Sequence, residues 1–346
     1  MPPTPPPTIK AWQFTRGTGG LEANLRLNTI APPQPKSTQH LVQVLACALN
    51  PVDYKPGEHP VLGPLLVRKP ATPGIDFAGY IAVPASGSPL KRGQLVFGVA
   101  SSPFGGGALS EFAVFEKETT VPVPEDVTPV DACTIGVAGL TAYQSIVPRV
   151  KKGDKVFING GSGGTGIFGI QIAKAVGCHV TTTCSSANVE LCRRLGADEV
   201  VDYTKGSVVE QLKKSGVKFD HVVDNVASST DLFFQCHEFT KPEAVFVVVG
   251  GTPGFGMIAD SLKRKYWPGF LGGGKRKVEG FFPKANYKDL EKLATWMSEG
   301  KVKPVIDSRF AFEQAPDAFR KLKTGRAKGK VVVDVALETH RNAWSE

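Results

Sequence analysis

Residues 155–186, KVFINGGSGGTGIFGIQIAKAVGCHVTTTCSS, constrain the chain more than any other stretch. A short apolar run, Val156 to Ile158, stops at Asn159 and passes into Gly160, Gly161, Ser162, Gly163, Gly164, Thr165 and Gly166, which ends a strand and opens a turn. Phe168, Ile172 and Val176 then recur at i, i+4 and i+8, and Gly177 stands where a C-cap glycine belongs, so the spacing predicts a helix directly after the turn. His179 to Cys184 alternates as a second strand. The whole reads as one βαβ unit with Gly161-x-Gly163-x-x-Gly166 at its first turn.

Dinucleotide binding needs glycines at that spacing, because a pyrophosphate approaches backbone N–H groups where a Cβ would intrude, and the helix N-terminus adds its partial positive charge. Gly161, Ser162, Gly163, Gly164, Thr165 and Gly166 are therefore candidate cofactor contacts. The same residues contain Gly160-x-Ser162-x-Gly164, the spacing of a nucleophile elbow. That reading needs a later acid and a histidine. Only His237 is a passable partner, since His179 and His221 read as strand residues and His340 lies in a polar tail, so dinucleotide binding is preferred.

The chain has 346 residues, 41% of them hydrophobic, enough to bury a sizeable core in about two domains. Its six cysteines, Cys47, Cys133, Cys178, Cys184, Cys192 and Cys236, form no C-x-x-C spacing or disulfide framework, as expected of free thiols in a reducing compartment. No signal or transit peptide and no membrane-length apolar run is written, so a cytoplasmic protein is expected. The net charge of +9 favours anionic partners without naming them. Nucleic-acid binding is not expected, because the basic clusters Lys263-Arg264-Lys265 and Lys275-Arg276-Lys277 come with no recognised module. They read as a solvated loop or a peripheral contact with anionic lipid.

Strand signals dominate residues 1–127: Lys10 to Phe14, Leu41 to Leu49, the stretch after Gly74, Leu95 to Val99 and Ala108 to Phe115, with no convincing helix among them. At Thr128-Pro129 the pattern changes to a helix reaching Val147. Beyond the glycine-rich unit, helices over 188–195 and 207–214 alternate with strands over 199–201, 220–226 and 244–249, which predicts a doubly wound parallel sheet. Gly250 and Gly251 end its last strand at the carboxyl edge, where ligands of such sheets bind. A helix over 286–299 and a strand over 330–335 close the chain.

Several separated motifs, Asn50-Pro51-Val52-Asp53, Gly74-Ile75-Asp76-Phe77-Ala78-Gly79, Gly196-Ala197-Asp198 with Asp202-Tyr203, and Gly329-Lys330-Val331-Val332-Val333, agree with one family. From about Lys10 to Val335 the chain resembles the zinc-independent medium-chain dehydrogenase/reductases of quinone oxidoreductase type. The resemblance implies an α/β protein: a GroES-like β-rich catalytic domain from residues 1–127 and 275–346, a Rossmann domain inserted over 128–274, and an active site between them. Zinc-dependent relatives place a cysteine where Asn50 stands and a His-Glu pair where Ile75-Asp76 stands, so no metal is expected.

The segment after Asn50 lines the substrate cleft in this family, which makes Asn50, Tyr54 and Lys55 the candidate catalytic residues. Related enoyl-thioester reductases rely on a tyrosine further along this loop, where the chain reads Gly57-Glu58-His59-Pro60-Val61. The end of the basic loop is similar to that of plant and fungal quinone-oxidoreductase homologues. Fungal enoyl reductases acting beside polyketide synthases are similar too.

No acid stands in Cys184-Ser185-Ser186-Ala187-Asn188, about 20 residues past the glycines, where an NAD-specific site places one. Ser185, Ser186, Asn188 and Tyr203 suit a 2′-phosphate instead, with Asn188 where many relatives carry a lysine. NADPH is thus the expected cofactor. Further contacts are expected at Asn225, Val226, Gly250, Gly251, Phe281, Phe282 and Lys330. The expected reaction is reduction of an activated C=C bond or a quinone, with a biosynthetic trans-acting enoyl reductase and a non-catalytic NADPH-binding sensor or scaffold as alternatives. A small-molecule substrate is expected, and either a monomer or a homodimer paired along Val245 to Val249, an apolar strand that reads equally as a covered interior one.

Overall fold

The computed structural model describes residues 4–102, 106–227, 230–250, 262–264, 267 and 273–336. They divide into two compact units, Met1–Leu140 with Lys284–Gly300 and Pro304–Glu346, and Thr141–Pro283 with Lys301–Lys303.

The first unit is built on a seven-stranded sheet in the order β14-β15-β3-β4-β5-β7, with β6 also paired to β3. These strands are β3 (Gln39–Leu49), β4 (Asp76–Val83), β5 (Leu95–Val99), β6 (Phe112–Glu116), β7 (Thr120–Pro122), β14 (Ile306–Ala311) and β15 (Lys330–Asp334). A small antiparallel pair, β1 (Ile9–Gln13) and β2 (Arg26–Ile30), precedes them. β15 runs antiparallel to β3, so both ends of the chain build one sheet. Short helical turns that strand signals had hidden follow β1 and β3: α1 (Leu21–Asn24), a 3₁₀ turn Pro51–Asp53, α2 (Lys55–Glu58) and α3 (Leu62–Leu66). The expected helix over 129–147 is two, α4 (Pro129–Ala132), capped by Thr128 Oγ1, and α5 (Gly136–Ile146). The break has a long-range cause: Asp76 Oδ1, 61 residues earlier in the chain, accepts from Val137 N at 2.8 Å and caps α5. Gly136 makes room, since a Cβ there would lie 2.3 Å from Asp76 Oδ1.

The second unit is a six-stranded sheet of β8 (Lys155–Asn159), β9 (His179–Cys184), β10 (Glu199–Asp202), β11 (Phe219–Asp224), β12 (Thr240–Val249) and β13 (Lys277–Phe281). Its order is β10-β9-β8-β11-β12-β13, with every neighbouring pair parallel. Counted from β8, that is the 3-2-1-4-5-6 order of dinucleotide-binding sheets, with its switch point between β8 and β11. Helices α6 (Gly164–Ala175), α7 (Val189–Arg194), α8 (Val208–Lys214) and α9 (Asp231–Phe234) connect the strands. Alternation along each strand divides the core in two. Ile158, Val180 and Val223 pack with Ile170, Ala173 and Cys192, whereas Phe157, Val222 and Phe246 pack with Val209, Leu212 and Phe233.

Two expectations need correction here. β13 is hydrogen-bonded to β12, so this unit extends to Pro283, and a boundary at residue 274 cuts off its last strand. β12 lies between β11 and β13, so Val245 to Val249 is an interior strand and offers no edge for a dimer. The strand over 306–311 and the helix Ala315–Lys323 had no counterpart in the sequence reading.

Phe157 is fully buried against Phe219 and Phe239, with ring centroids 5.6 and 6.2 Å away. Phe157→Ala should cost this unit about 3 to 5 kcal/mol, seen as a lower denaturation midpoint by circular dichroism. A change below about 1 kcal/mol would show that these rings are not a packed core.

Candidate functional site

The glycine-rich turn joins β8 to α6 at the switch point. Gly160 has φ 85° and donates to Thr183 Oγ1 at 2.8 Å, which fixes the turn against β9. A Cβ on Gly161 would lie 2.1 Å from Thr182 Oγ1, and one on Gly166 would lie 2.1 Å from Gly160 O. Glycine is therefore required where the helix packs on the turn. Gly163 caps α6 without a side-chain bond, leaving first-turn N–H groups of a 12-residue helix available to a ligand.

Across the switch point, Asp224 Oδ1 accepts from Asn159 Nδ2 at 2.8 Å and from Val226 N and Ala227 N at 3.0 Å. This folds the chain after β11 tightly enough to hold Ala227 at φ 50°. Val226 comes beside the glycines: its Cγ2 lies 2.8 Å from a Cβ built on Gly160. Asn225 carries a buried carboxamide whose Nδ2 and Oδ1 both lack a partner among the described residues, and Asn188 Oδ1 is buried and unpaired as well. Orphaned amides are costly unless something completes them, so a glycine cradle edged by two of them fits a polar, phosphate-bearing cofactor.

Asn188 Nδ2 donates to Ser162 Oγ at 3.1 Å and to Ser185 Oγ at 3.4 Å, joining the turn to the end of β9. Ser162 therefore bonds to an amide, while His237 Nδ1 is engaged at Phe234 O, and the nucleophile-elbow reading gains no serine–histidine bond among the described residues. Ser186 donates to Asp202, the last residue of the neighbouring β10, and Tyr203 follows it, more than half exposed. Gly250 ends β12 with φ 70°, whereas Gly251 lies outside the described residues. Phe281 ends β13 beneath the Arg149 guanidinium, and Phe282 is exposed.

In the first unit, the segment after β3 holds the catalytic candidates. Asn50 Oδ1 accepts from Lys330 Nζ at 2.5 Å, and Asn50 Nδ2 donates to Asp76 Oδ2 at 2.9 Å. Lys330 Nζ also lies 3.4 Å from that oxygen, with both side chains almost wholly buried. Lys330 thus sits in the same cluster as Asn50, its ammonium committed to Asn50 and Asp76. Asp53 Oδ2 accepts from Asn50 N at 2.6 Å and its Oδ1 accepts from Ile75 N at 2.8 Å, holding two loops together. The sequence reading missed the roles of Asp53 and Asp76 although both fall inside quoted motifs, because Ile75, the second partner of Asp53, and all the partners of Asp76 are distant in the chain.

Tyr54 and Lys55 stand at the start of α2. The Tyr54 ring lies 5.5 Å from Lys323 Nζ, which bonds Glu22 at 2.7 Å and Glu58 at 2.9 Å. Burial, helped by the Glu58 charge, pushes the Tyr54 phenol above its ordinary value, and burial draws Lys55 below its own. Neither the phenolic hydroxyl nor the Lys55 ammonium has a hydrogen-bond partner among the described residues. No group of three or more His, Cys, Asp or Glu among those residues could hold a metal ion.

A β-rich unit assembled from both chain ends, together in one chain with a parallel sheet that carries a glycine cradle at its switch point, defines a nicotinamide-dependent oxidoreductase. Residues 36–125 match the family profile described as alcohol dehydrogenase GroES-like domain, and residues 195–333 match that described as zinc-binding dehydrogenase. A trans-enoyl reductase of Aspergillus terreus is 47% identical over 97% of this chain and 98% of its own. A chloroplast envelope quinone oxidoreductase homolog of Arabidopsis thaliana is 34% identical over 91% of this chain and 95% of its own. The solved quinone oxidoreductase from Coxiella burnetii superposes with a TM-score of 0.82 at 30% identity, covering 95% of this chain and 99% of that one. The chain belongs to the medium-chain dehydrogenase/reductase family.

Burial pushes the Asp53 carboxyl from an ordinary 3.8 up to about 7, against the two backbone bonds that favour its charge. Between those values the unfolded chain has ionised this group and the folded chain has not, so its contribution to stability falls as pH rises from 3.8 to about 7. Carbon-13 titration of the carboxyl signal missing in Asp53→Asn should give a midpoint near neutrality. A midpoint at the ordinary carboxylate value would refute this.

Proposed function

We propose that the chain is an NADPH-dependent, zinc-independent reductase of an activated C=C bond, as in an α,β-unsaturated carbonyl, or of a quinone. The observation that carries this reading is the pair of uncommitted groups on one short segment, the Tyr54 hydroxyl and the Lys55 ammonium, beside an Asn50 whose carboxamide is already fully bonded. Asn50 therefore positions the segment, while Tyr54 and Lys55 meet substrate. NADPH is supported by the absence of an acid among residues 184–188 and by the hydroxyls and amide of Ser185, Ser186 and Asn188 there. All six cysteines are buried and unpaired, which supports a cytoplasmic protein. No described helix is long and apolar enough to cross a membrane. A small molecule is the proposed partner, with no nucleic acid.

The donors around Asn50 do not fit zinc. An ammonium, Lys330 Nζ, already takes Asn50 Oδ1 and approaches Asp76 Oδ2, placing a buried cation where zinc would need its donors. Without a Lewis acid, an isolated ketone lacks strong polarisation, whereas a conjugated acceptor spreads its developing charge onto oxygen. The cofactor, when bound, supplies hydride, directed in this reading to the β-carbon. Tyr54, whose raised pKa keeps it protonated, holds the carbonyl oxygen. Lys55, whose proton burial makes easier to release, returns one proton to the α-carbon and is reprotonated by solvent.

A second reading within the same chemistry, a trans-acting enoyl reductase of a polyketide-type pathway, is favoured by the 47% identity to the Aspergillus terreus protein. A non-catalytic sensor or scaffold is separated from both by a single assay, since it would consume no NADPH with any enone or quinone.

Tyr54→Phe and Lys55→Ala should each lower kcat with enones by roughly 10²-fold while leaving NADPH binding nearly unchanged. Deuteride from labelled NADPH should appear on the β-carbon. Its appearance on the carbonyl carbon of simple ketones would make the protein a carbonyl reductase. Purified protein should carry no stoichiometric zinc by elemental analysis and keep its activity in chelator, and about one zinc per chain with activity lost on removal would overturn the zinc-independent reading.

A further inference from the structure

The stretch about 20 residues past the glycines, Cys184 to Asn188, which chooses between a ribose hydroxyl and a 2′-phosphate, has Ser186 at its centre. Its hydroxyl is not free to serve a phosphate. Ser186 Oγ donates to Asp202 Oδ2, Thr204 Oγ1 donates to Asp202 Oδ1 at 2.7 Å, and the two hydroxyl oxygens lie 2.9 Å apart. Each hydroxyl carries one proton, so two protons serve three contacts, all inside the cluster. What the pair offers outward is lone pairs. Asp202 is almost fully buried, and the bonds from Ser186 and then Thr204 hold its carboxyl below the usual range, so it stays ionised beneath them. Among the described residues Asp202 is ion-paired to Lys205, whose Nζ lies 3.9 Å from Oδ2 on an exposed side chain.

We propose that Asp202 is a concealed acid that sets cofactor choice at second hand, drawing the protons of Ser186 and Thr204 inward so that they accept from a ribose 2′-OH and resist a 2′-phosphate. Sequence spacing cannot reveal this acid, because it arrives from the end of β10 through the register Asp202–Cys184. NADPH is then accommodated only when Ser186 turns its proton outward, with Lys205 supplying the countercharge. The inference rests on reading the glycine-rich turn as a dinucleotide site and predicts a preference for NADPH smaller than the bare Ser185-Ser186-Asn188 sequence suggests.

Asp202→Asn is the informative variant. It retains the oxygen that accepts from Thr204 N, at 2.9 Å in the structure, and so preserves the turn, while removing the charge. Isothermal titration of the full chain with 2′,5′-ADP and with ADP gives a ratio of affinities that needs no catalysis. Asp202→Asn should raise that ratio by about tenfold through tighter 2′,5′-ADP binding, because it removes the carboxylate that draws the Ser186 proton inward and lets that hydroxyl donate to the phosphate. Lys205→Ala should lower the ratio. In a Ser186→Ala, Thr204→Val background the further change Asp202→Asn should move the ratio much less, since the hydroxyls that transmit the charge are gone. A wild-type ratio of one would remove the NADPH preference of the preceding section without touching this inference, whose own failure is an unchanged ratio in Asp202→Asn. A ratio that rises equally with and without the two hydroxyls would also overturn it, showing direct charge repulsion instead of proton orientation.

Discussion

The buried contact among Lys330, Asp76 and Asn50 is the constraint on which the β-rich unit depends. Lys330 comes from the first residue of β15, Asp76 from the first residue of β4, and Asn50 from the end of β3. Asp76 uses its remaining oxygen to cap α5. One carboxylate therefore fixes three strands and the start of a helix. A buried pair of this kind is weak as a source of net stability, because desolvation offsets much of the attraction, but removing one partner strands the other. Its value here is register: only one alignment of β15 against β3 and of α5 against β4 satisfies all four partners. Holding Asn50 in turn sets where Tyr54 and Lys55 begin.

The second unit depends on a different economy of space. Its turn is held by glycines whose missing Cβ atoms allow Gly160 O to approach Gly166 and Thr182 to approach Gly161. Asp224 braces the opposite side with three N–H donors. The polar groups left unpaired, on Asn225 and Asn188, are then a property of the site and not of loose packing, because everything around them is bonded or tightly fitted.

Much of this was legible in the chain, and the exceptions share a cause. The strands and helices from Lys155 to Lys214 are visible because their period and their glycines are local. The strand β13 was not recognised because Lys277 to Phe281 carries charge and glycine, and it becomes a strand only when β12 offers it a ladder. The two-part helix from Pro129 reads as one because its cap, Asp76, is far away in sequence. The site followed the same rule. Glycines and the segment Asn50 to Lys55 announce themselves, whereas Asp53, Asp76 and Asp202 act through partners that only folding brings near. A carboxylate's meaning lies in who donates to it, and linear spacing records that only for short-range donors.

The placement of β15 bears on how the protein is made. In the seven-stranded sheet β15 is an inner strand, flanked by β14 and β3, yet every other strand of both sheets precedes it in the sequence. Every strand of the six-stranded sheet has emerged by Phe281, so that sheet can be finished while the other still shows an open β3 edge. Until Lys330 arrives, Asp76 and Asn50 lack their cation, and the second half of β3, Ala46 to Leu49, lacks a partner on the side that β6 does not reach. The nascent chain thus carries an unpaired stretch of edge until β15 is made, the situation in which strands recruit wrong partners and chaperones are engaged. Closure of the β-rich unit is a long-range event, set by the distance in sequence between two strands that end up side by side.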